Sequence, residues 1–248
     1  MPTSPDLDLR AHLGRLRTAG LLVEIDRPVD PASQAAWLMA ELGRRGLAGQ
    51  FTSVRGSELP LLYNALGTRA MVALALGTTE ADVTSFFAER RERLIEPRSI
   101  GGAAPCQEVV FRGEEMDLSS LPLVTHSEGD AGPYITAGLV ICHDPETGAR
   151  NVSVNRITPV SAAEAAIRMM PPQQLGQIQA KAEQTGADLP IAVAIGVHPT
   201  AVLAAASSPP LGVDELAIAG GLRGEPVPMA PGVTIPIDVP AEAEIVIE

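Results

Sequence analysis

Between Asp130 and Arg156 the chain reads DAGPYITAGLVICHDPETGARNVSVNR, and no other stretch narrows the possible folds as much. Ile135, Ala137, Leu139 and Ile141 alternate with Tyr134, Thr136, Gly138 and Val140, the period of two expected of a strand with distinct faces. Asp144-Pro145-Glu146-Thr147-Gly148 then supplies a turn: an Asx opener, a proline with preset φ, and a glycine able to take positive φ. The spacing therefore predicts a β-hairpin. On its return strand Val152, Val154 and Arg156 share one face, and Asn151, Ser153 and Asn155 share the other. Two amides flanking a hydroxyl on one strand face make a poor core, because each demands a hydrogen-bond partner. That face is a candidate site.

The remainder divides at a breaker-rich run, Ile100-Gly101-Gly102-Ala103-Ala104-Pro105. Before it, helical and extended patterns alternate. Ser4-Pro5 reads as a helix start ahead of Leu9, Leu13 and Leu16, and Gly20 as its stop. Leu21 to Ile25 reads as a strand, Asp30-Pro31 as the opening of a helix carrying Ala35, Leu38, Met39 and Leu42, and Pro60 to Tyr63 as a strand. Thr79 and Asp82 form a capping-box-like pair before Val83, Phe86 and Phe87. This predicts a small α/β domain over residues 1–100. Residues 101–248 turn strand-rich, with expected strands at Glu108 to Phe111, Pro190 to Val197, Val227 to Met229 and Ala243 onward, and helices at Pro172 to Gln184 and Val213 to Gly221. Short strands with turn signals favour a barrel or split barrel. The fold class expected is α+β.

Charge and cysteine content exclude several functions. A formal net charge of −12 supplies no basic stripe for a phosphate backbone, so nucleic acid is excluded as a partner. Cys106 and Cys142 have neither a disulfide framework nor a metal-binding spacing, which points to a reducing, cytoplasmic setting. His198 and Pro199 interrupt the longest apolar run well short of the ~20 residues of a membrane span. His12, His126, His143 and His198 show no shared ligand spacing and read as structural histidines. GLRGEP, around Arg223, reads as a turn.

DAGPYIT, DPETG and NVSVNR together resemble the flavin-binding core of the UbiD family of prenylated-FMN-dependent decarboxylases. PIAVAIGVHPTAVLAA, DELAIAGGLRGEPV and VPAEAEIVIE continue the resemblance in the family's order, as does the opening LRAHLGRLRTAGLLVEIDRPVD. The resemblance implies that residues 101–248 are a split-barrel, prenylated-FMN-binding domain, truncated at its C-terminal end. It implies a divalent cation, Mn²⁺ or Mg²⁺, held by Asn151, Gln174 and Glu244 and bound in turn to the flavin phosphate. The family has histidine where this chain has Gln174, and an amide oxygen is the weaker donor. Val152, Ser153, Val154, Asn155 and Gln173 are expected beside the cofactor. Arg156 is expected to hold the substrate carboxylate, for which a guanidinium offers a planar, permanently charged fork. Asn151 and Arg156 are an odd five residues apart, so a bulge or a strand end must intervene. Carbonyls of residues 204–207 correspond to a K⁺ site in the family.

The sequence closes at Glu248, where the family continues into a further half containing two catalytic glutamates and an oligomerisation domain. Glu242 and Glu248 do not replace those glutamates on spacing alone. The chain is thus expected to be a fragment, one half of an enzyme completed by a second chain, or a cofactor-binding remnant. The function expected is reversible, non-oxidative decarboxylation of an aromatic or α,β-unsaturated carboxylic acid, in a homo- or hetero-oligomer. The competing expectation is a non-catalytic flavin-binding or assembly subunit.

Overall fold

The computed structural model describes residues 8–248. The Ser4-Pro5 helix start lies outside them. Helix α1 (Leu9–Thr18) is capped by Asp8, whose side chain accepts from Ala11 N, and it leads into β1 (Leu22–Ile25). Asp30 accepts from the Ala32 N–H in a turn ahead of α2 (Ala35–Arg44). β2 (Ala48–Phe51) then pairs parallel with β1 and antiparallel with β3 (Leu61–Tyr63). Two helices follow, α3 (Arg69–Leu76) and α4 (Val83–Arg90). Thr79 Oγ1 donates to Asp82 Oδ2 at 2.6 Å and accepts from Asp82 N, so the capping pair forms one turn ahead of α4. β2 and α3 are elements that the sequence patterns did not announce.

β4 (Arg98–Ser99) is followed by three 3₁₀ turns, Pro105–Gln107, Gly113–Glu115 and Leu118–Ser120. The strand expected at Glu108 to Phe111 is absent. Val109 and Phe111 are 67% and 64% exposed, and no neighbouring strand offers that backbone a ladder. The hairpin forms as β5 (Leu139–His143) and β6 (Arg150–Val154), with Ile141 opposite Val152 and Cys142 opposite Asn151. Tyr134 and Ile135 make only isolated bridges, to Val124 and Ile157. β7 (Ile157–Pro159) pairs with β8 (Ala165–Ile167) in a separate ribbon. The chain continues through α5 (Gln174–Gln184), β9 (Ala192–Ile195), α6 (Pro199–Ala205) and α7 (Glu215–Arg223). It ends with β10 (Pro228–Pro231), β11 (Asp238–Pro240) and β12 (Ile245–Ile247).

The central sheet has the order β12-β9-β5-β6 and is covered on both faces. Leu139, Ile141 and Val152 pack towards Ala201 and Ala204 of α6 and Leu216, Ile218 and Leu222 of α7. Val140, Cys142 and Val193, on the opposite face, pack against Leu175 and Ile178 of α5. Double coverage explains why Leu139 to Cys142 are all buried although the strand alternates. The strands fall into four separate sheets, and no closed barrel forms among the described residues.

The N-terminal segment docks tightly on this layer. Ala73, Leu76 and Val83 join the same apolar cluster as α6 and α7. A Cβ on Gly220 or Gly221 of α7 would come within 2.3 Å of Ile95 O or 2.1 Å of Arg93 O, so only glycine admits that backbone. Ile95 N donates to Ala217 O, and β4 pairs parallel with β10.

Candidate functional site

β6 is an edge strand, and its outer N–H groups need partners that no strand supplies. Glu215 fills that role. As the first residue of α7, it is only 2% exposed, and its Oε2 accepts from Val152 N at 2.8 Å. Its Oε1 lies 3.3 Å from Asn151 Nδ2. Asn151, 3% exposed, also donates from Nδ2 to Gln174 Oε1 at 2.6 Å. Gln174 is the first residue of α5, and its own amide nitrogen donates to Pro209 O. The N-termini of two helices therefore converge from opposite sheet faces on the free edge of β6. Both aim partial positive charge at one place, where anions are favoured.

Two features mark this cluster as more than structural. Asn151 Oδ1 is buried and has no hydrogen-bond partner. Burial pushes the Glu215 carboxyl up to about 7 against the opposing hydrogen bond from Val152, and the carboxylate makes no ion pair among the described residues. An unpartnered amide oxygen beside a desolvated carboxylate has the partial charge of two helix ends near it but no full countercharge. The donor set of amide and carboxylate oxygens fits a hard divalent cation. The adjacent contact keeps these groups in place: Arg150 Nη1 meets Asp214 Oδ2 at 2.5 Å, while Asp214 Oδ1 caps α7 through Leu216 N.

Glu244 does not join the cluster, which corrects the expected ligand set. It precedes β12 on the far side of the sheet, three strand spacings or roughly 14 Å from β6. There it accepts from Arg10 Nε and Nη2, both at 2.7 Å, and its side chain lies across Gly196, whose φ is +73°. The carboxylate that faces Asn151 and Gln174 is that of Glu215. A glutamate directly before the all-apolar LAIA run was the available signal, and it reads by itself as an ordinary favourable charge at a helix start.

Arg156 lies beyond the end of β6, in the link to β7, so no single sheet face has to carry both it and Asn151. Its guanidinium sits 4.2 Å from the Tyr134 ring centroid, and the Tyr134 ring is 4.9 Å from that of His126. This cation–π contact holds an exposed arginine in one place. It also links His126, which sequence spacing left isolated, to the candidate site. Asn155 Nδ2 donates to Ser153 Oγ at 2.7 Å, and Val154 is exposed at the strand end. Gln173 is the exposed N-cap residue of α5. The other candidate acids are engaged elsewhere: Glu242 with Arg223 Nη1 at 2.7 Å, and Glu248 with the N–H groups of Val233 and Thr234.

Comparison with known proteins identifies the family. Residues 98–248 match the family model described as the 3-octaprenyl-4-hydroxybenzoate carboxy-lyase Rift-related domain, and residues 13–91 match the N-terminal domain of the same enzyme group. The chain belongs to the UbiD family. Among its relatives is the anhydromevalonate phosphate decarboxylase of Methanothermobacter thermautotrophicus, 31% identical over 97% of this chain and 54% of that protein. The UbiD-class enzyme HmfF from Pelotomaculum thermopropionicum, solved in complex with FMN, superposes with a TM-score of 0.91 at 37% identity, over 96% of this chain and 54% of that one. An evolved dimeric form of HmfF with prFMN gives 0.89 at 36% identity, over 96% and 56%. The chain thus spans about half the length of the UbiD relatives it matches. Among the described residues no helix is long and apolar enough to cross a membrane.

Proposed function

We propose that this chain is the cofactor-binding part of a UbiD-type enzyme, a reversible, non-oxidative decarboxylase of aromatic or α,β-unsaturated carboxylic acids using prenylated FMN. The observation that carries the reading is the buried oxygen cluster at the β6 edge, with Asn151 Oδ1 unpartnered and two helix N-termini converging on it. Residues 101–248 are then a split-barrel cofactor domain, and residues 1–100 an α/β domain packed against it. Asn151, Gln174 and Glu215 would hold Mn²⁺ or Mg²⁺, which neutralises a phosphate presented to the helix ends. Val152, Ser153, Val154, Asn155 and Gln173 would line the cofactor along the strand end. Carbonyls of residues 204–207, just before the left-handed turn at Ser208 (φ 46°), would take K⁺.

Prenylated FMN, when bound, supplies the electron sink that side chains lack. Arg156, steadied by Tyr134, binds the substrate carboxylate and orients it for loss of CO₂. Return of a proton falls to a group outside residues 1–248, on polypeptide corresponding to the remainder of the relatives, whether continuous with this chain or a second subunit. The test is reconstitution with prenylated FMN and Mn²⁺, alone and with that remaining polypeptide. The expected outcome is flavin retained by the wild type and lost in Asn151→Ala, with decarboxylation only when the remainder is present. Retention without turnover by the pair would favour the non-catalytic subunit instead. A pair that retains no flavin ends both readings.

A further inference from the structure

The composition of the oxygen cluster says which cations it can tell apart. Asn151 Nδ2 stands between two oxygens, 2.6 Å from Gln174 Oε1 and 3.3 Å from Glu215 Oε1. Rotating the amide about its Cβ–Cγ bond exchanges that nitrogen for Oδ1, the atom now buried without a partner. The amide nitrogen thus bridges its neighbours as a hydrogen-bond donor, and the flipped amide leaves three side-chain oxygens facing one another. No imidazole takes part. His143 ends β5 opposite Arg150, and His198 is engaged with Thr200 Oγ1 and Arg15 Nη2. Among the described residues no group of three or more His, Cys, Asp or Glu is placed to hold a metal ion, so a divalent site has to draw on amides. The nearest soft donor by register is Cys142, opposite Asn151, and it is enclosed in the apolar cluster with Val140, Leu175 and Ile178.

Resting on the proposed function, we infer that Gln174 sets the cation preference of this centre. With amide, amide and carboxylate oxygens it is a hard-cation site that accepts Mg²⁺, Mn²⁺ and Ca²⁺ and gives Zn²⁺ or Ni²⁺ none of the nitrogen donation that enlarges their advantage. A single carboxylate leaves two positive charges incompletely balanced, so cation and phosphate bind together, each raising the affinity of the other. Gln174 is a metal-discriminating residue as well as a ligand.

The full chain titrated with MgCl₂, MnCl₂ and ZnCl₂ in the presence of FMN tests this, with FMN fluorescence and the Mn²⁺ electron paramagnetic resonance signal as readouts that need no turnover. Mg²⁺ and Mn²⁺ should support FMN binding with affinities within about tenfold of one another, and Gln174→His should raise the Zn²⁺:Mg²⁺ affinity ratio by about tenfold or more. Cys142→Ser should leave that ratio unchanged. An unaltered ratio in Gln174→His, or a Zn²⁺ preference that disappears in Cys142→Ser, overturns the inference while the proposed function stands. FMN bound equally well without any divalent cation, or not bound with any of them, overturns both.

Discussion

The two sides of the central sheet treat their carboxylates in opposite ways. Around β12, Glu242 is enclosed against Arg223, with side-chain exposures of 7% and 2%, and Glu244 is gripped through both oxygens by Arg10. At β6, Glu215 is buried like the enclosed pair, yet it meets only backbone N–H groups and an amide. Among the described residues, arginines stand against Glu242 and Glu244 and none stands against Glu215. Burial alone therefore does not distinguish a structural acid from a site acid; the missing countercharge does.

The largest effect should come from breaking the compensated side. Arg223→Met leaves Glu242 buried without its partner and should cost about 3–5 kcal/mol in urea denaturation, whereas Arg223→Met with Glu242→Leu should recover most of that loss. Recovery would mean that the pair is a replaceable structural device; no recovery would give it some role besides stability. Next in size is the uncompensated side. Glu215→Gln keeps an oxygen for Val152 N–H but removes the charge, and should weaken Mn²⁺ binding in the presence of FMN by about a hundredfold, or about 2.7 kcal/mol, with thermal stability little changed. Glu244→Gln should leave Mn²⁺ binding essentially unaltered. If the two variants exchange these phenotypes, the two sides of the sheet do not differ in this way.

How much of this was legible in the sequence follows from where each determinant lies. The hairpin could be read because its turn chemistry and alternation are local: Asp144 Oδ1 accepts from Glu146 N, and Gly148 takes φ 72°. α5, α7, β9 and β12 were legible for the same reason, each carrying its period and its breakers within a few residues. Two kinds of information were not local. PTAVLAA continues an apolar run from β9 and forms α6 only because Pro199 and the turn at Gly196 redirect it. The run from Glu108 to Phe111 has strand-like residues but no partner in space, and β-propensity without a neighbour builds no strand. The site divides likewise. Asn151, Gln174 and Arg156 came from residues in register with a family pattern, whereas the third oxygen of the proposed cation site depends on which helix end reaches the β6 edge. Glu244 and Glu215 are equally plausible donors in one dimension, and only strand order separates them.

Smaller effects should follow where the countercharge itself reaches solvent. Lys181 bridges Asp144 Oδ2 at 2.6 Å and Glu146 at 2.9 Å, tying α5 to the hairpin turn. The lysine holds the Asp144 carboxyl below its usual value, so its contribution is present above about pH 4 and is lost as pH falls through the depressed value. Asp144→Asn should lower Tm by a few degrees at pH 7, and the difference from wild type should shrink as the solution is acidified below that point. The smallest effect belongs to Arg10, 77% exposed against a one-third-exposed Glu244. Solvent and salt screen such a pair, so Arg10→Ala should cost less than about 1 kcal/mol, and less again at high salt. A large, salt-insensitive loss on Arg10→Ala would show that α1 is fastened to the β12 side by more than an exposed ion pair. The contrast between the two sides would then no longer rest on charge compensation alone, because Glu244 would owe its place to packing across Gly196 and not to its arginine.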